Sequence, residues 1–367
     1  MTAAKARAKR AAFAYLSCAA LAAIAAVPAP AATPAPNPSA SASASPNQDD
    51  ARAIDLLRAA MHAREVVSYE AQVQTIRFGA SGAVATIAKE DHLAPDETHK
   101  IYVAPEDMYG DSVVVRGVQT YSYDPKHQRV IISHGPVVDT QTMANGNLAL
   151  LLANYRPLLA TPEIIAGRAT IPCALVNRFT GQRVMRVWID AETRLILQRE
   201  TYHADGTIGS RTQFENIRYT NAMPAALFAT PVPAGFRVVE NRASPSSSED
   251  VERVLKDAGF TPAGPRYLPE GFTILNADLS TLKGVKTLHL MYSDGVRSLS
   301  LFENAANAAA DFRGLRPMPT KIENRDAQYV SDGPTTFLSW KNAGLTFALV
   351  GDLDLKELKA IAASVSS

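Results

Sequence analysis

The chain has 367 residues, of which 47% are apolar, and its formal net charge is +1. This composition is typical of globular proteins, and the near-neutral charge excludes the dense basic surface that nucleic acids require. Cys18 and Cys173 are its two cysteines, so a framework of several disulfides is also excluded.

The first residues have the layout of a secretory signal peptide. Four cations within the first ten residues precede an uncharged apolar run from Ala11 to Val27, and small residues that suit signal cleavage follow. We predict a signal peptide over 1–27 and a periplasmic or otherwise extracytoplasmic protein. An uncleaved N-terminal membrane anchor and a lipid anchor on Cys18 are the alternatives.

The next segment, 28–48, consists almost entirely of alanine, proline, serine, threonine and asparagine. Such a segment cannot bury enough apolar surface to become ordered, and we predict a disordered tether. Ile54, Leu57 and Met61 then recur at helical spacing, which predicts a helix at the start of the folded region.

Alternating polar and apolar residues predict that strands dominate the first domain, 49–236. One helix, near 148–155, interrupts them, and turn signals such as Asp205-Gly206 predict consecutive antiparallel hairpins. Two or three helices are too few to cover so large a sheet. We therefore predict a large curved antiparallel sheet, an incomplete β-barrel around a cavity.

A proline- and serine-rich linker with a short helix is predicted over 237–266, followed by a smaller domain over 267–367. In that domain we predict six antiparallel strands and a closing helix, which begins after an N-capping Asp354 with Glu357 as its partner. The predicted fold class of the whole chain is α+β, mostly β.

A search for catalytic motifs finds no nucleophile elbow, phosphate-binding loop or zinc-protease motif. The seven histidines are scattered without metal-ligand spacing, and Cys173 lies in an apolar stretch that predicts a buried thiol. We predict a protein that is not an enzyme and carries no cofactor or metal. An exported hydrolase stays open as an alternative that requires Ser, His and Asp side chains gathered in a cleft.

Segment 187–200 resembles a hairpin of lipoprotein-carrier-like sheets, and its continuation, 205–217, resembles the MucB/RseB family in particular. Segments 267–272 and 291–303 resemble the C-terminal domain of the same family. The resemblance implies that the first domain is similar in fold to the lipoprotein carriers LolA and LolB. It also implies a periplasmic regulator of the envelope stress response, which binds the extracytoplasmic part of an anti-sigma factor and senses lipid or lipoprotein.

We therefore predict a non-catalytic exported regulator whose partner is an anti-sigma factor, with lipid or lipoprotein as the ligand of an apolar cavity. The alternative is a lipoprotein or lipid carrier of the LolA/LolB type. The predicted cavity residues are Tyr121, Tyr123, Met185 and Trp188. The predicted partner contacts are Tyr292, Leu299, Leu301 and Phe302, and ordinary core packing is the alternative for all eight.

Overall fold

The computed structural model describes residues 48–79, 82–134, 148–242, 251–282, 285–305, 316–332 and 335–366. The predicted signal peptide, nearly all of the predicted tether and the serine-rich part of the predicted linker lie outside these residues. Across the described ranges, no helix has both the length and the hydropathy that crossing a bilayer requires.

Four α-helices occur in the described part of the chain. They are α1 (Gln48–His62), α2 (Leu148–Asn154), α3 (Val251–Asp257) and α4 (Leu355–Ser364). The strands of the first sheet are β1 (Tyr69–Gly79), β2 (Gly82–Leu93), β3 (Glu97–Ala104), β4 (Ser112–Arg116), β5 (Gln119–Asp124), β6 (Arg129–His134), β7 (Tyr155–Leu159), β8 (Glu163–Ile165), β9 (Arg168–Asn177), β10 (Arg183–Asp190), β11 (Ile196–Tyr202), β12 (Ile208–Tyr219) and β13 (Arg237–Arg242). The second sheet contains β15 (Thr273–Leu282), β16 (Val285–Ser293), β17 (Ser298–Asn304), β18 (Met318–Ile322), β19 (Arg325–Asp332), β20 (Thr335–Asn342) and β21 (Leu345–Gly351). A two-residue pair, β14 (Gly264–Pro265) with β22 (Val365–Ser366), lies beside it.

The first sheet has the strand order β13-β6-β5-β4-β3-β2-β1-β12-β11-β10-β9-β7, with β8 paired to β9. Neighbours are antiparallel, apart from the parallel pairing of β13 with β6. The two ends of this order, β13 and β7, do not pair with each other. The sheet is therefore open, which confirms the predicted large antiparallel sheet that does not close into a barrel.

One face of the first sheet, which we call the helix-bearing face, packs against α1. Leu57 of α1 is fully buried in a cluster with Leu175 of β9 and with Met185 and Val187 of β10. Cys173 lies in the same cluster, and burial raises the pKa of its thiol to about 12. The thiol is thus a buried apolar group, as predicted.

The second sheet is antiparallel throughout, in the order β15-β16-β17-β21-β20-β19-β18. Leu358 and Ile361 of α4 are fully buried against one of its faces, among residues such as Leu301 and Leu349. The carboxylate of Asp354 accepts a 2.8 Å hydrogen bond from the Glu357 amide, so the predicted N-cap of α4 is confirmed.

The described parts of the predicted linker pack on the two sheets. Arg237–Arg242 form β13 at one edge of the first sheet. Val254 of α3 and Ala258 and Ala263 after it are buried in the core of the second sheet. Each sheet thus has its own apolar core, and the linker contributes to both structures.

Candidate functional site

The predicted cavity residues lie on two different faces of the first sheet. Side chains alternate along a strand, and Met185 and Trp188 are an odd number of positions apart on β10. Met185 lies on the helix-bearing face, whereas cross-strand register places Trp188, Tyr121 and Tyr123 on the opposite face. The structure brings the three aromatic residues to one face and leaves Met185 in the α1 core.

Of these four residues, Tyr121 lines a cleft of about 380 Å³. The walls of this cleft are mostly polar. Arg116 donates to Glu97 at 2.9 Å, and the Tyr121 hydroxyl donates to Gln119 at 3.0 Å. Its walls also include Asp96. These contacts suit a polar occupant better than an acyl chain.

A charged cluster lies on the helix-bearing face beside the short 3₁₀ turn that follows α1. Glu90 is 1% exposed and accepts hydrogen bonds from Arg64 at 3.0 Å and from the Tyr69 hydroxyl at 2.7 Å, while Lys100 lies 2.7 Å away. Burial raises the pKa of Glu90, but Lys100 and Arg64 outweigh burial and hold this pKa well below its usual range. The cluster ties the turn to β1, β2 and β3.

Three of the four predicted partner contacts are core residues of the second sheet. Leu299 and Leu301 are fully buried and Tyr292 is 6% exposed, all on the face that packs against α4. Phe302 lies on the other face, which we call the outer face, where its ring stacks on His289 at 4.4 Å. Of the four, Phe302 is the one that is half-buried and lies on the outer face.

The outer face also holds a Ser-His-Asp relay that the sequence search did not find. His289 Nδ1 lies 2.9 Å from Asp278 Oδ2, and His289 Nε2 lies 2.9 Å from Ser300 Oγ. Cross-strand pairing of β15, β16 and β17 brings the three side chains together. The relay has the connectivity of a nucleophile, a base and an orienting carboxylate.

A hydrolase also needs free hydrogen-bond donors that stabilise an oxyanion. Ser300 lies in β17, which pairs with β16 on one side and β21 on the other. Backbone amides of a central strand are engaged in the ladder and are not available to a substrate. In the described ranges, no group of three or more His, Cys, Asp or Glu side chains is arranged to hold a metal ion.

The contact between the two sheets is a further feature that sequence reasoning missed. The Tyr155 hydroxyl donates to Asp294 Oδ2 at 2.5 Å, and the Asn154 side chain donates to the carbonyls of Gly271 and Asp294, both at 2.9 Å. Val296 of the β16–β17 turn is 6% exposed within the core that contains α1. The turn of one sheet is thus anchored in the other.

Comparison with known proteins agrees with this architecture. Residues 110–232 match the model of the MucB/RseB N-terminal domain. Over these residues the chain is similar to the MucB/RseB family. Residues 263–365 match the model of a domain of unknown function, DUF4367. None of the curated proteins matches the chain.

Solved structures of MucB share the fold across both sheets. One is MucB in complex with MucA(peri), and another is the Pseudomonas aeruginosa MucA/MucB complex. Each has a TM-score of 0.58 and 17% identity, over 86% of this chain and 98% of the other. MucB alone gives a TM-score of 0.52 at 15% identity over the same shares. The match covers far more than the N-terminal domain.

Proposed function

We propose that this protein is an extracytoplasmic, non-catalytic regulator that binds the extracytoplasmic part of a membrane-bound anti-sigma factor. The observation that supports this proposal most is the match in fold, over 86% of the chain, to a MucB solved in complex with MucA(peri). The anchoring of Asp294 and Val296 in the first sheet supports it further, because a partner can then contact both sheets at a fixed spacing.

The non-catalytic part of the proposal rests on the relay of Asp278, His289 and Ser300. The hydrogen bond between Ser300 and His289 favours proton transfer from the hydroxyl to the imidazole. The backbone amide of Ser300, however, is engaged in the strand pairing of the second sheet and cannot donate to an oxyanion. Without oxyanion donors, a serine nucleophile loses about 10²–10³-fold in rate per donor. We infer that the relay orders the outer face beside Phe302 and does not hydrolyse substrates.

We propose lipid or lipoprotein as the ligand of the first sheet, on the part of the helix-bearing face that α1 does not cover. Tyr102 of β3 and Val113 and Val115 of β4 are half-buried there, and none of them belongs to the buried clusters. Apolar groups that leave water on binding contribute about 25 cal/mol per Å². Lys100, which pairs with Val113 across the strands, lies beside them.

Crosslinking in intact cells tests the partner proposal. The full chain carries an affinity tag, and covalently captured proteins are identified by mass spectrometry. We expect one membrane protein whose cytoplasmic part binds a sigma factor, captured through its extracytoplasmic part. Capture of lipoproteins without such a membrane protein would contradict the proposal and favour the carrier of the LolA/LolB type.

A matched pair of variants tests the ligand proposal. Val113→Asp places a charge on the half-buried patch, and Val118→Asp places the same charge on a residue that is 64% exposed. We expect Val113→Asp to lower binding of a fluorescent lipopeptide about tenfold, and Val118→Asp to leave it unchanged. Equal binding by both variants would exclude this patch as the lipid site.

A further inference from the structure

The face of the first sheet opposite α1 carries an apolar strip bordered by arginines. Arg156 of β7 and Arg183 of β10 both pair with Val176, the residue between them on β9. In the next row on this face, Leu158 and Arg186 both pair with Ala174. We call these six residues the arginine strip. Its apolar residues, Leu158, Ala174 and Val176, are half-buried, whereas Arg156 and Arg183 are exposed.

Aromatic rings hold two of the arginines in place. The guanidinium of Arg183 lies 4.1 Å from the centre of the Tyr202 ring, and that of Arg186 lies 4.4 Å from the Trp188 ring. The Trp188 indole in turn donates to Glu163 at 2.8 Å. Stacking restricts the rotamers of a guanidinium before binding, so less conformational entropy is lost when an anion binds.

The strip has more positive charge than its surroundings neutralise. Residues 155–219 contain nine arginines and no lysine. Arg186 pairs with Glu163 at 2.5 Å, but among the residues that the structure describes neither Arg156 nor Arg183 forms an ion pair with a carboxylate. The planar guanidinium donates pairs of hydrogen bonds that match the two oxygens of a carboxylate.

We propose that the arginine strip binds an acidic segment of the partner protein. Carboxylates of that segment contact Arg156 and Arg183. These two arginines lie about 10 Å apart, because β9 separates their strands, β7 and β10, by two strand spacings. Apolar side chains of the segment cover Leu158, Ala174 and Val176. This inference rests on the proposed function, because it names the chemistry by which a partner is recognised.

Direct binding to a defined probe tests the strip without knowledge of the partner. The probe is a fluorescent peptide in which glutamates alternate with leucines, and a peptide with glutamines in place of glutamates is its counterpart. We expect the full chain to bind the glutamate peptide and not the glutamine peptide. Binding should weaken as ionic strength rises, because salt screens exposed charges.

A double variant, Arg156→Glu with Arg183→Glu, should lower affinity for the glutamate peptide about a hundredfold, or about tenfold for each charge-assisted contact removed. The control is Arg52→Glu with Arg58→Glu on the exposed side of α1, which makes the same change in net charge. We expect the control to bind like the wild type. Thermal unfolding of both variants verifies that the fold is retained.

Three results would overturn the inference. The first is equal binding of the glutamate peptide by the wild type and the strip variant, Arg156→Glu with Arg183→Glu. The second is equal binding of the glutamine and glutamate peptides by the wild type, and the third is binding to phosphatidylglycerol vesicles without binding to the glutamate peptide.

Crosslinking in cells separates this inference from the proposed function. If the wild type and the strip variant capture the same anti-sigma factor equally well, the proposed role of the arginine strip is wrong and the proposed function is retained. If the wild type captures none, the function is wrong.

Discussion

The hydroxyl of Tyr155, in the first sheet, donates a 2.5 Å hydrogen bond to the carboxylate of Asp294, in the second. Both residues are fully buried, and Asp294 also accepts from the backbone amide of Arg297 at 2.7 Å and from its guanidinium at 2.9 Å. Desolvation by burial, together with this carboxylate, raises the pKa of Tyr155 well above its usual range. The bond therefore keeps its proton at physiological pH and fixes the two sheets to each other.

Removing the Tyr155 hydroxyl should weaken this connection. Tyr155→Phe leaves a buried carboxylate oxygen with one donor fewer, and we expect a loss of about 1–3 kcal/mol in the free energy of unfolding. Urea denaturation measures it. Tyr109→Phe is the control, because Tyr109 is 73% exposed and should change stability little. Equal stability of Tyr155→Phe and wild type would show that the bond does not join the sheets.

Close packing at the β16–β17 turn gives a second prediction. A Cβ on Gly295 would lie 2.6 Å from the backbone nitrogen of Leu151, whereas a Cβ on Gly344 would meet nothing within 4 Å. Both glycines have a positive φ, so either alanine substitution strains the backbone by about 1 kcal/mol. Gly295→Ala should lower the melting temperature clearly more than Gly344→Ala. A similar decrease for both would mean that the turn does not pack tightly on α2.

The carboxyl group of Glu303 predicts a pH-dependent stability. Glu303 is fully buried in the second core, and burial raises its pKa to about 7, although the Ala263 amide donates to it at 2.8 Å. Between the ordinary glutamate pKa and about 7, the unfolded chain releases a proton that the folded chain retains. Stability should therefore fall as pH rises through this window, by up to about 3 kcal/mol in total, and stay constant above it.

Glu303→Gln should remove this dependence. Glutamine keeps an oxygen that accepts from Ala263 and has no proton to release. Denaturation of variant and wild type at pH 5 and pH 8 gives the comparison. We expect the wild type to be less stable at the higher pH and the variant to be nearly constant. A wild type that gains stability between these two values would contradict the assignment.

The charged cluster around Glu90 predicts the opposite dependence on pH. Because Lys100 and Arg64 hold the pKa of Glu90 down, its contribution to stability is complete above the ordinary glutamate pKa and is lost only as pH falls below it. Glu90→Gln leaves two cations without their buried anion and should cost about 3–5 kcal/mol at neutral pH. Glu65→Gln is a suitable control, since the side chain of Glu65 is 62% exposed.

The sequence predicts most strands because their signal is local. Alternating residues predicted that strands dominate the first domain, and the described residues form a first sheet of 13 strands. The sequence predicts a linker at Arg237–Arg242, where the structure has the strand β13. This strand pairs in parallel with β6, which lies about a hundred residues earlier, and no local pattern indicates such an edge strand. The odd spacing of Met185 and Trp188 on one strand is itself a local signal, and it places the two side chains on opposite faces.

The candidate site depends on contacts that no sequence pattern encodes. Tyr292, Leu299 and Leu301 share one face of their strands with other buried leucines, so alternation alone favours a core role over a partner role. The hydrogen bond from Tyr155 to Asp294 and the relay at His289 join residues from separate strands. Their proximity follows from strand order and register, which are tertiary properties.

The most direct test of the regulator proposal uses two purified components: this protein and the extracytoplasmic segment of a membrane-bound anti-sigma factor from the same organism. Calorimetry and light scattering measure their affinity and stoichiometry. We predict a complex of defined stoichiometry with at least micromolar affinity, which the strip variant weakens and the Arg52/Arg58 control does not. No complex at concentrations well above micromolar, with the chain folded, would contradict the account.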